Sequence, residues 1–159
     1  MIYSTIYTRD GELFKITLPK FNLEKIINAK RETAFDIFSN YENYQNLLPR
    51  HFPSVRVRSV RGNISVVEEH MKFGTQEFII MAKHIAEKPV LHEIFVIGGD
   101  AKGSYIKQQF LEISEKTKII VNVDWKLKTK MKVSSIFGKN KFEQYYAEIL
   151  DDFAKISES

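Results

Sequence analysis

The chain has 159 residues, of which 43% are hydrophobic and 28% charged, a balance typical of one water-soluble globular domain. It contains no cysteine, which excludes disulfides, thiolate zinc sites and a cysteine nucleophile. No apolar run approaches the ~20 residues that span a bilayer, and the first residues lack the pattern of a signal peptide. We therefore expect a cytoplasmic protein without a transmembrane segment.

The first predicted element is a hairpin over residues 2–18, in which two strand-like runs flank Asp10-Gly11. Asp-Gly is a strong signal for a tight turn between antiparallel strands. Residues 21–29 are predicted to form a further strand. Two short helices follow over residues 31–48, because Ser39-Asn40 interrupts an otherwise helical pattern.

The middle of the chain alternates between strand-like runs and short turns. Such short connections allow only antiparallel neighbours, because parallel pairing needs a long crossover. The sequence therefore predicts a meander of strands after the helices. The predicted strands are Val55–Val60, Ile64–Phe73, Glu77–Ile85, Val90–Ile97, Ser104–Ile113 and Lys118–Leu127.

The last segment predicts a helix from about Lys130 to Ile156. Its apolar stripe is bulky in the second half, but Ser135 and Gly138 occupy the first half. Interiors are close-packed, so small residues on a buried face leave either a close helix–sheet contact or an empty volume. An aromatic content of 13% fits a large core or a lined cavity equally well.

This order of elements resembles the START/Bet v 1-like (SRPBCC) superfamily, and within it the polyketide cyclase and coenzyme Q-binding protein group. The resemblance covers about residues 21–156. The motifs that carry it are Tyr41–Pro49 after the first helix, Gly98–Ser104 in a hairpin, Val123–Leu127 on the last strand, and Gly138, Phe142 and Phe153 on the helix.

The resemblance implies an α+β helix-grip fold, with a curved seven-stranded antiparallel sheet wrapped around the long C-terminal helix and two short helices after the first strand. It divides the chain into an N-terminal hairpin extension, residues 1–20, and a ligand-binding domain, residues 21–156. It also favours a cavity between sheet and helix, and implies no cofactor. The expected ligand-binding residues are Phe35, Val67, Glu69, Met71, Phe73, Trp125, Ser135, Gly138, Phe142 and Tyr146.

Strand parity indicates which carboxylates face inward. On the last strand, the apolar alternation from Ile119 to Trp125 predicts that Asp124 points outward. On Ile64–Phe73 either parity is possible, which leaves the directions of Glu68, Glu69 and His70 open. We prefer the register in which a three-residue turn sets Arg56 opposite Glu68 on the outside, because Glu69 then becomes the one polar group on an apolar inner face.

The four histidines show no metal-ligand spacing, so we expect no metal site. His51 lies among prolines in a predicted loop, where we expect it to be exposed. His92 lies on a strand and faces either the cavity or solvent. No nucleophile–base pair or nucleotide-binding motif stands out.

Three functions remain, in this order. The first is binding or transport of a lipid, isoprenoid quinone or polyketide-like aromatic. The second is a cyclase/dehydratase-type enzyme with Glu69, Tyr105 or Tyr146 as acid–base groups. The third is association with a ribosome or RNA. An inward-facing carboxylate–Tyr or carboxylate–His pair favours the enzyme, and a closed apolar cavity without such a pair favours the carrier.

Two stretches without acidic residues carry the positive charge. A solvated strand edge explains them most simply, and contact with a ribosome or an anionic membrane is the alternative if the two groups merge into one patch. The residues concerned are Arg50, Arg56, Arg58, Arg61, Lys126, Lys128, Lys130 and Lys132.

Overall fold

A computed structural model describes residues 3–7, 13–17, 20–126 and 141–159. Several residues singled out from the sequence lie outside this part of the chain. They are Ser135, Gly138, Lys128, Lys130 and Lys132, together with the predicted start of the last helix.

The chain begins with a separate hairpin. Strand β1 (Tyr3–Tyr7) pairs antiparallel with β2 (Leu13–Thr17), with Tyr3 opposite Thr17 and Tyr7 opposite Leu13. These two strands form a sheet of their own, so the predicted N-terminal hairpin is confirmed. Its division from a ligand-binding domain over residues 21–156 stays a prediction.

The main sheet and its helices follow in the predicted order. The elements are β3 (Lys20–Ile27), α1 (Arg31–Phe38), a 3-10 turn (Tyr41–Asn43), α2 (Tyr44–Leu47), β4 (Ser54–Arg61), β5 (Ile64–Phe73), β6 (Gln76–Glu87), β7 (Leu91–Gly99), β8 (Tyr105–Ile113), β9 (Lys116–Asp124) and α3 (Lys141–Glu158). No helix in the described ranges is long and apolar enough to cross a membrane.

The large sheet has seven strands in the order β3-β9-β8-β7-β6-β5-β4, and every neighbouring pair is antiparallel. Its two short helices come directly after the first strand, as the helix-grip fold requires. The curved seven-stranded sheet and C-terminal helix confirm the predicted fold class. Side-chain alternation holds on β9, where Val121 and Val123 are buried and Asp124 lies on the other face.

The core lies between the concave face of this sheet and α3. Helix α3 buries Phe142, Tyr146, Ile149 and Phe153, which is an i, i+4, i+7, i+11 stripe. The Phe153 ring stacks on Phe38 of α1, with the ring centroids 4.8 Å apart. Burying side chains of this size stabilises the fold by roughly 1.5–3 kcal/mol each, so α3 is held to the sheet by its apolar face.

Strands β4 and β5 pair in the register that the sequence analysis preferred, but a bulge produces this register instead of the expected three-residue turn. Arg56 lies opposite Glu68, but the turn has two residues, since Arg61 pairs with Ile64. A bulge at Arg58, between Val57 and Ser59, supplies the missing shift. The guanidinium of Arg58 binds Glu68 across the strand pair.

The two basic groups do not meet on neighbouring strands. Strand β4 forms one edge of the sheet, and four strands separate it from β9. The two basic groups could merge only if these two strands lay close together in the sheet, and the strand order shows that they do not. Two of the arginines are also engaged in ion pairs, because Arg58 binds Glu68 and Arg50 lies 3.1 Å from Asp152. Contact with a ribosome or membrane stays a prediction.

Candidate functional site

A small cavity lies between the concave face of the sheet and α3. Its volume is about 20 Å³, enough for about one water molecule. Its walls are mostly apolar and come from strands β5 to β8, from α3, and from the segment before β4. The lining residues are Tyr44, Phe52, Glu69, Met71, Ile80, Ile94, Ile106, Gln108, Tyr146, Ile149 and Phe153.

The sequence-predicted ligand residues divide into three groups. Glu69, Met71 and Tyr146 line this cavity. Val67 is fully buried in the same inner row of β5, and Phe35 packs against Phe110 with ring centroids 5.1 Å apart. Neither of these two lines the cavity.

The third group forms an aromatic cluster next to the cavity. The ring of Phe142 lies 5.0 Å from that of Phe73 and 5.1 Å from that of Trp125. The buried indole N–H of Trp125 has no hydrogen-bond partner among the described residues. This cluster is packed rather than hollow in the part of the chain that the structure describes.

Glu69 is the buried carboxylate of the site. Only 3% of its surface is exposed, and its Oε1 lies 2.5 Å from Nε2 of His84. In the strand register Glu69 pairs with Ile80, and His84 pairs with Ser65. The two side chains therefore lean toward each other over Val67 and Ala82, which the concave curvature of the sheet and the small alanine allow.

The contact continues from strand to strand. Nδ1 of His84 lies 2.9 Å from Nε2 of His92, and Nδ1 of His92 lies 2.8 Å from Oε1 of Gln108. Gln108 lines the interior cavity together with Tyr146 of α3. We call Glu69, His84, His92 and Gln108 the polar row. It crosses β5, β6, β7 and β8 on the inner face.

His84 was not predicted from the sequence as a site residue, and the direction of His92 was left open. The signal was present in the period of β6, where Phe78, Ile80 and Ala82 alternate toward the core and put His84 on the same face. Metal-ligand spacing could not reveal the pair, because the two histidines meet across a hairpin rather than along one element.

Burial keeps the groups around the row neutral. It lowers the pKa of His92 to about 3, with the nearby His84 acting in the same direction. Burial also raises the pKa of the Tyr146 and Tyr44 hydroxyls, and the charge of Glu69 adds to both shifts. His92 is therefore a neutral imidazole and both tyrosines are phenols at physiological pH.

Tyr105 lies on the opposite face of the sheet. Its hydroxyl donates to Glu93 on β7, and burial followed by this hydrogen bond raises its pKa to about 12. Strand parity explains the placement, because Ile106 and Gln108 point inward on β8. Of the three acid–base candidates, Tyr105 therefore lies away from the interior cavity, whereas Glu69 and Tyr146 line it.

His51 is buried rather than exposed, with 5% of its surface accessible. Its Nε2 lies 2.8 Å from Oδ2 of Asp152, which ties the loop before β4 to α3. Surface grooves of about 370 Å³ and 280 Å³ flank this loop. Phe52 of the same loop lines the interior cavity.

No group of three or more acidic or histidine side chains within the described ranges is arranged to hold a metal ion. The polar row contains three such residues, but its nitrogen and oxygen atoms point at one another in a line. This arrangement hydrogen-bonds instead of converging on a common centre.

No protein-family model matches the sequence, and no curated protein sequence matches it. Solved structures do match the fold. TTHA0849 from Thermus thermophilus has a TM-score of 0.72 at 15% identity, with 88% of this chain and 94% of that chain covered. The Zhui aromatase/cyclase from Streptomyces sp. R1128 has a TM-score of 0.71 at 10% identity, with 89% and 94% covered.

A START superfamily protein from Mycobacterium smegmatis is also similar, with a TM-score of 0.66 at 15% identity over 86% of this chain and 92% of that chain. At these identities the likeness concerns the fold. The element order, the sheet topology and these matches agree. The chain therefore has the helix-grip fold of the START/Bet v 1-like superfamily.

Proposed function

We propose that the protein binds a hydrophobic small molecule between the concave face of the sheet and α3. The observation that supports this most is the interior cavity, where isoleucines from three strands and one helix surround a few polar groups. Sites of this composition bind apolar ligands and orient them through one or two polar atoms. A lipid, an isoprenoid quinone or a polyketide-like aromatic fits such a site.

Uptake requires the lining side chains to move. Ligand pockets usually measure about 300–1,000 Å³, and the interior cavity measures about 20 Å³. Met71 can change rotamer at low cost because its chain is unbranched. Phe52 of the loop at Pro49–Pro53 lines the cavity, and other residues of this loop line a surface groove. We therefore expect the ligand to enter where this loop meets α3.

A fluorescent apolar probe, 1-anilinonaphthalene-8-sulfonate, tests the proposal. The native protein should bind it saturably, one per chain, while its thermal unfolding stays cooperative. Ile94→Phe fills the cavity and should weaken binding at least tenfold. Ile97→Phe is the matched control, since Ile97 is on the same strand but 44% exposed, and it should bind as the native protein does. Equal affinity in both variants argues against an interior site.

A second candidate function is acid–base catalysis of the cyclase type. The observation that favours it is the inward-facing Glu69–His84 pair, in which Glu69 lines the same cavity as Tyr146. A carboxyl that holds or releases a proton beside a carbonyl substrate is what an intramolecular aldol condensation needs.

This candidate predicts turnover of a simple diketone. 2,6-Heptanedione closes to 3-methylcyclohex-2-enone with loss of one water, and the conjugated product absorbs in the ultraviolet. The native protein should accelerate the reaction, and Glu69→Gln should abolish the acceleration. A rate that is the same with and without protein leaves binding as the function.

A further inference from the structure

The indole N–H of Trp125 is a buried hydrogen-bond donor that the described residues leave unused. Trp125 is 0% exposed, and its Nε1 has no acceptor within the described ranges. The other such atom in these ranges is Nε of Arg31, whose side chain is 25% exposed and lies 3.8 Å from Glu112 through its terminal nitrogen. An indole nitrogen can only donate, and a buried tryptophan usually finds a partner for it. An unpaired donor at this depth therefore calls for an acceptor from outside the described chain.

The groups around the indole do not supply the missing acceptor. Its ring centroid lies 5.1 Å from that of Phe142, 5.9 Å from that of Phe73 and 6.1 Å from that of Phe78. These phenyl rings carry no oxygen or nitrogen. The buried hydroxyl of Ser104 is committed to the backbone of Lys126, since it donates to the carbonyl at 3.1 Å and accepts from the N–H at 2.7 Å. One acceptor position thus stays empty among aromatic rings.

The aromatic cluster continues the walls of the interior cavity. Residues two apart on a strand share a face, and so do residues four apart on a helix. On three elements a cavity-lining residue and a cluster residue are related in this way. The pairs are Met71 and Phe73 on β5, Ile80 and Phe78 on β6, and Tyr146 and Phe142 on α3. A ligand that outgrows the small cavity along these elements therefore meets the cluster and the indole.

We propose that Trp125 is a ligand-binding residue whose indole N–H donates to an oxygen of the bound molecule. The molecule that it selects is a flat aromatic ketone or quinone. The ring of this ligand lies among the rings of the cluster, and its carbonyl oxygen takes the empty acceptor position. The proposal rests on the proposed function, because it names the ligand class of the same interior site.

The surroundings of the indole favour this class over a fatty acid. Aromatic rings attract one another in tilted and edge-to-face arrangements with centroids 4.5–7 Å apart, which a saturated chain cannot reproduce. The phenyl rings also carry no charge to balance a carboxylate, whose burial without a partner is costly. A neutral carbonyl oxygen avoids that cost and still accepts a hydrogen bond. Because the cluster is packed, the ligand ring takes the place of a protein ring, and Phe142 is the member that α3 contributes.

Two flat molecules of nearly equal shape test the proposal on the native, full-length protein. 9-Fluorenone carries a carbonyl oxygen, and fluorene lacks it. The protein should bind fluorenone about tenfold more tightly in equilibrium dialysis, because only fluorenone pairs the buried donor. Equal affinities, or no binding of either molecule by a protein that binds 1-anilinonaphthalene-8-sulfonate inside, would overturn the assignment.

NMR of the indole group reports on the hydrogen bond itself. The chain has one tryptophan, so its indole N–H gives a single side-chain resonance that needs no assignment. Fluorenone should move the indole proton downfield, and fluorene should not. An indole proton that fluorenone leaves in place, while dialysis shows it bound, contradicts the proposed contact.

Trp125→Phe keeps an aromatic ring but removes the donor. This variant should bind fluorenone and fluorene equally, with the loss confined to fluorenone. A preference for fluorenone that persists in the variant assigns the carbonyl to another group and overturns the role of Trp125. If the variant does not fold, the two ligands on the native protein decide the question by themselves. Failure of 1-anilinonaphthalene-8-sulfonate and of both flat molecules to bind would instead overturn the proposed function.

Discussion

Asp152 joins three neighbours at the surface end of the site. Its Oδ2 accepts hydrogen bonds from the buried His51 and from Arg50, and Lys155 lies nearby on the next turn of α3. Partial burial alone would raise the pKa of this carboxyl, but the hydrogen bond to His51 and the positive charges outweigh it and lower the pKa. The ionised form is therefore favoured in the folded protein, and the loop is fixed to α3.

Substitution of Asp152 should show this through the pH dependence of stability. Asp152→Asn should lower the free energy of unfolding at neutral pH by about 1.5–3 kcal/mol, the range for hydrogen bonds to charged groups. Because the folded pKa is depressed, the contribution is complete above the unfolded value of about 4 and disappears as the pH falls through the folded value. Urea titrations from pH 7 to pH 2 measure it.

Asp151→Asn is the matched control for this prediction. Asp151 is the adjacent acid on α3, it is half exposed, and it pairs with Lys25 on β3. Its replacement should change stability by less than about 1 kcal/mol at pH 7. A gap between native protein and Asp152→Asn that widens in acid would contradict the assigned role.

At this scale the sequence predicted part of the site. The inward direction of Glu69 followed from Val67, Met71 and Phe73, because a strand has a strict period of two. The contacts of the polar row could not be predicted from the sequence. Its side chains meet because the sheet is curved and because they lean along the strands, and strand periodicity carries no information on either. The prediction that His51 is exposed was wrong for a related reason. A loop rich in proline looks exposed until α3 packs against it.

Among the elements, the β7–β8 hairpin approaches β6 closely at one backbone position, Gly99. Gly99 has φ of +85°, and a Cβ built there would lie 2.2 Å from the carbonyl oxygen of Ile79. The next residue, Asp100, makes two hydrogen bonds to the backbone of Ile79 on β6. Its backbone N–H donates to the Ile79 carbonyl, and its carboxylate accepts from the Ile79 N–H. The glycine therefore allows two backbones to approach closely.

Gly99→Ala should destabilise the fold by more than about 2 kcal/mol, because a left-handed conformation alone costs about 1–2 kcal/mol for a residue with a Cβ. Gly98→Ala is the control, since a Cβ there meets only Met81 at 3.4 Å. Thermal unfolding compares the two. Equal melting temperatures for both variants would show that the close approach at Gly99 is not required.

The order of elements was predictable because turns and period-two patterns punctuate the whole chain. The strand Ile64–Phe73 was predicted with the observed limits. The bulge at Arg58 was not, because a one-residue insertion leaves the alternation of Val55 and Val57 unchanged and is visible only against the partner strand. The same limit applies to the distance between β4 and β9, which depends on the order of pairing and not on either strand alone.

For the whole molecule, the central feature is the interior cavity. It is nearly closed, but its lining of apolar side chains with a few polar groups is that of a binding site. The fold holds α3 against the concave face through its aromatic stripe, and the polar row crosses that face beneath it. A carrier needs only that the apolar walls separate, whereas an enzyme also needs Glu69 to exchange a proton. Both functions share one claim, which is that an apolar molecule occupies the space between sheet and helix.

Nuclear Overhauser contacts between isoleucine methyl groups and bound 1-anilinonaphthalene-8-sulfonate test that claim most directly. The account predicts contacts from the probe to the methyl groups of Ile80, Ile94 and Ile106, all of which line the cavity. Contacts confined to Ile79 and Ile97, which are 55% and 44% exposed on the outer face, would place the probe on the surface and contradict an interior binding site.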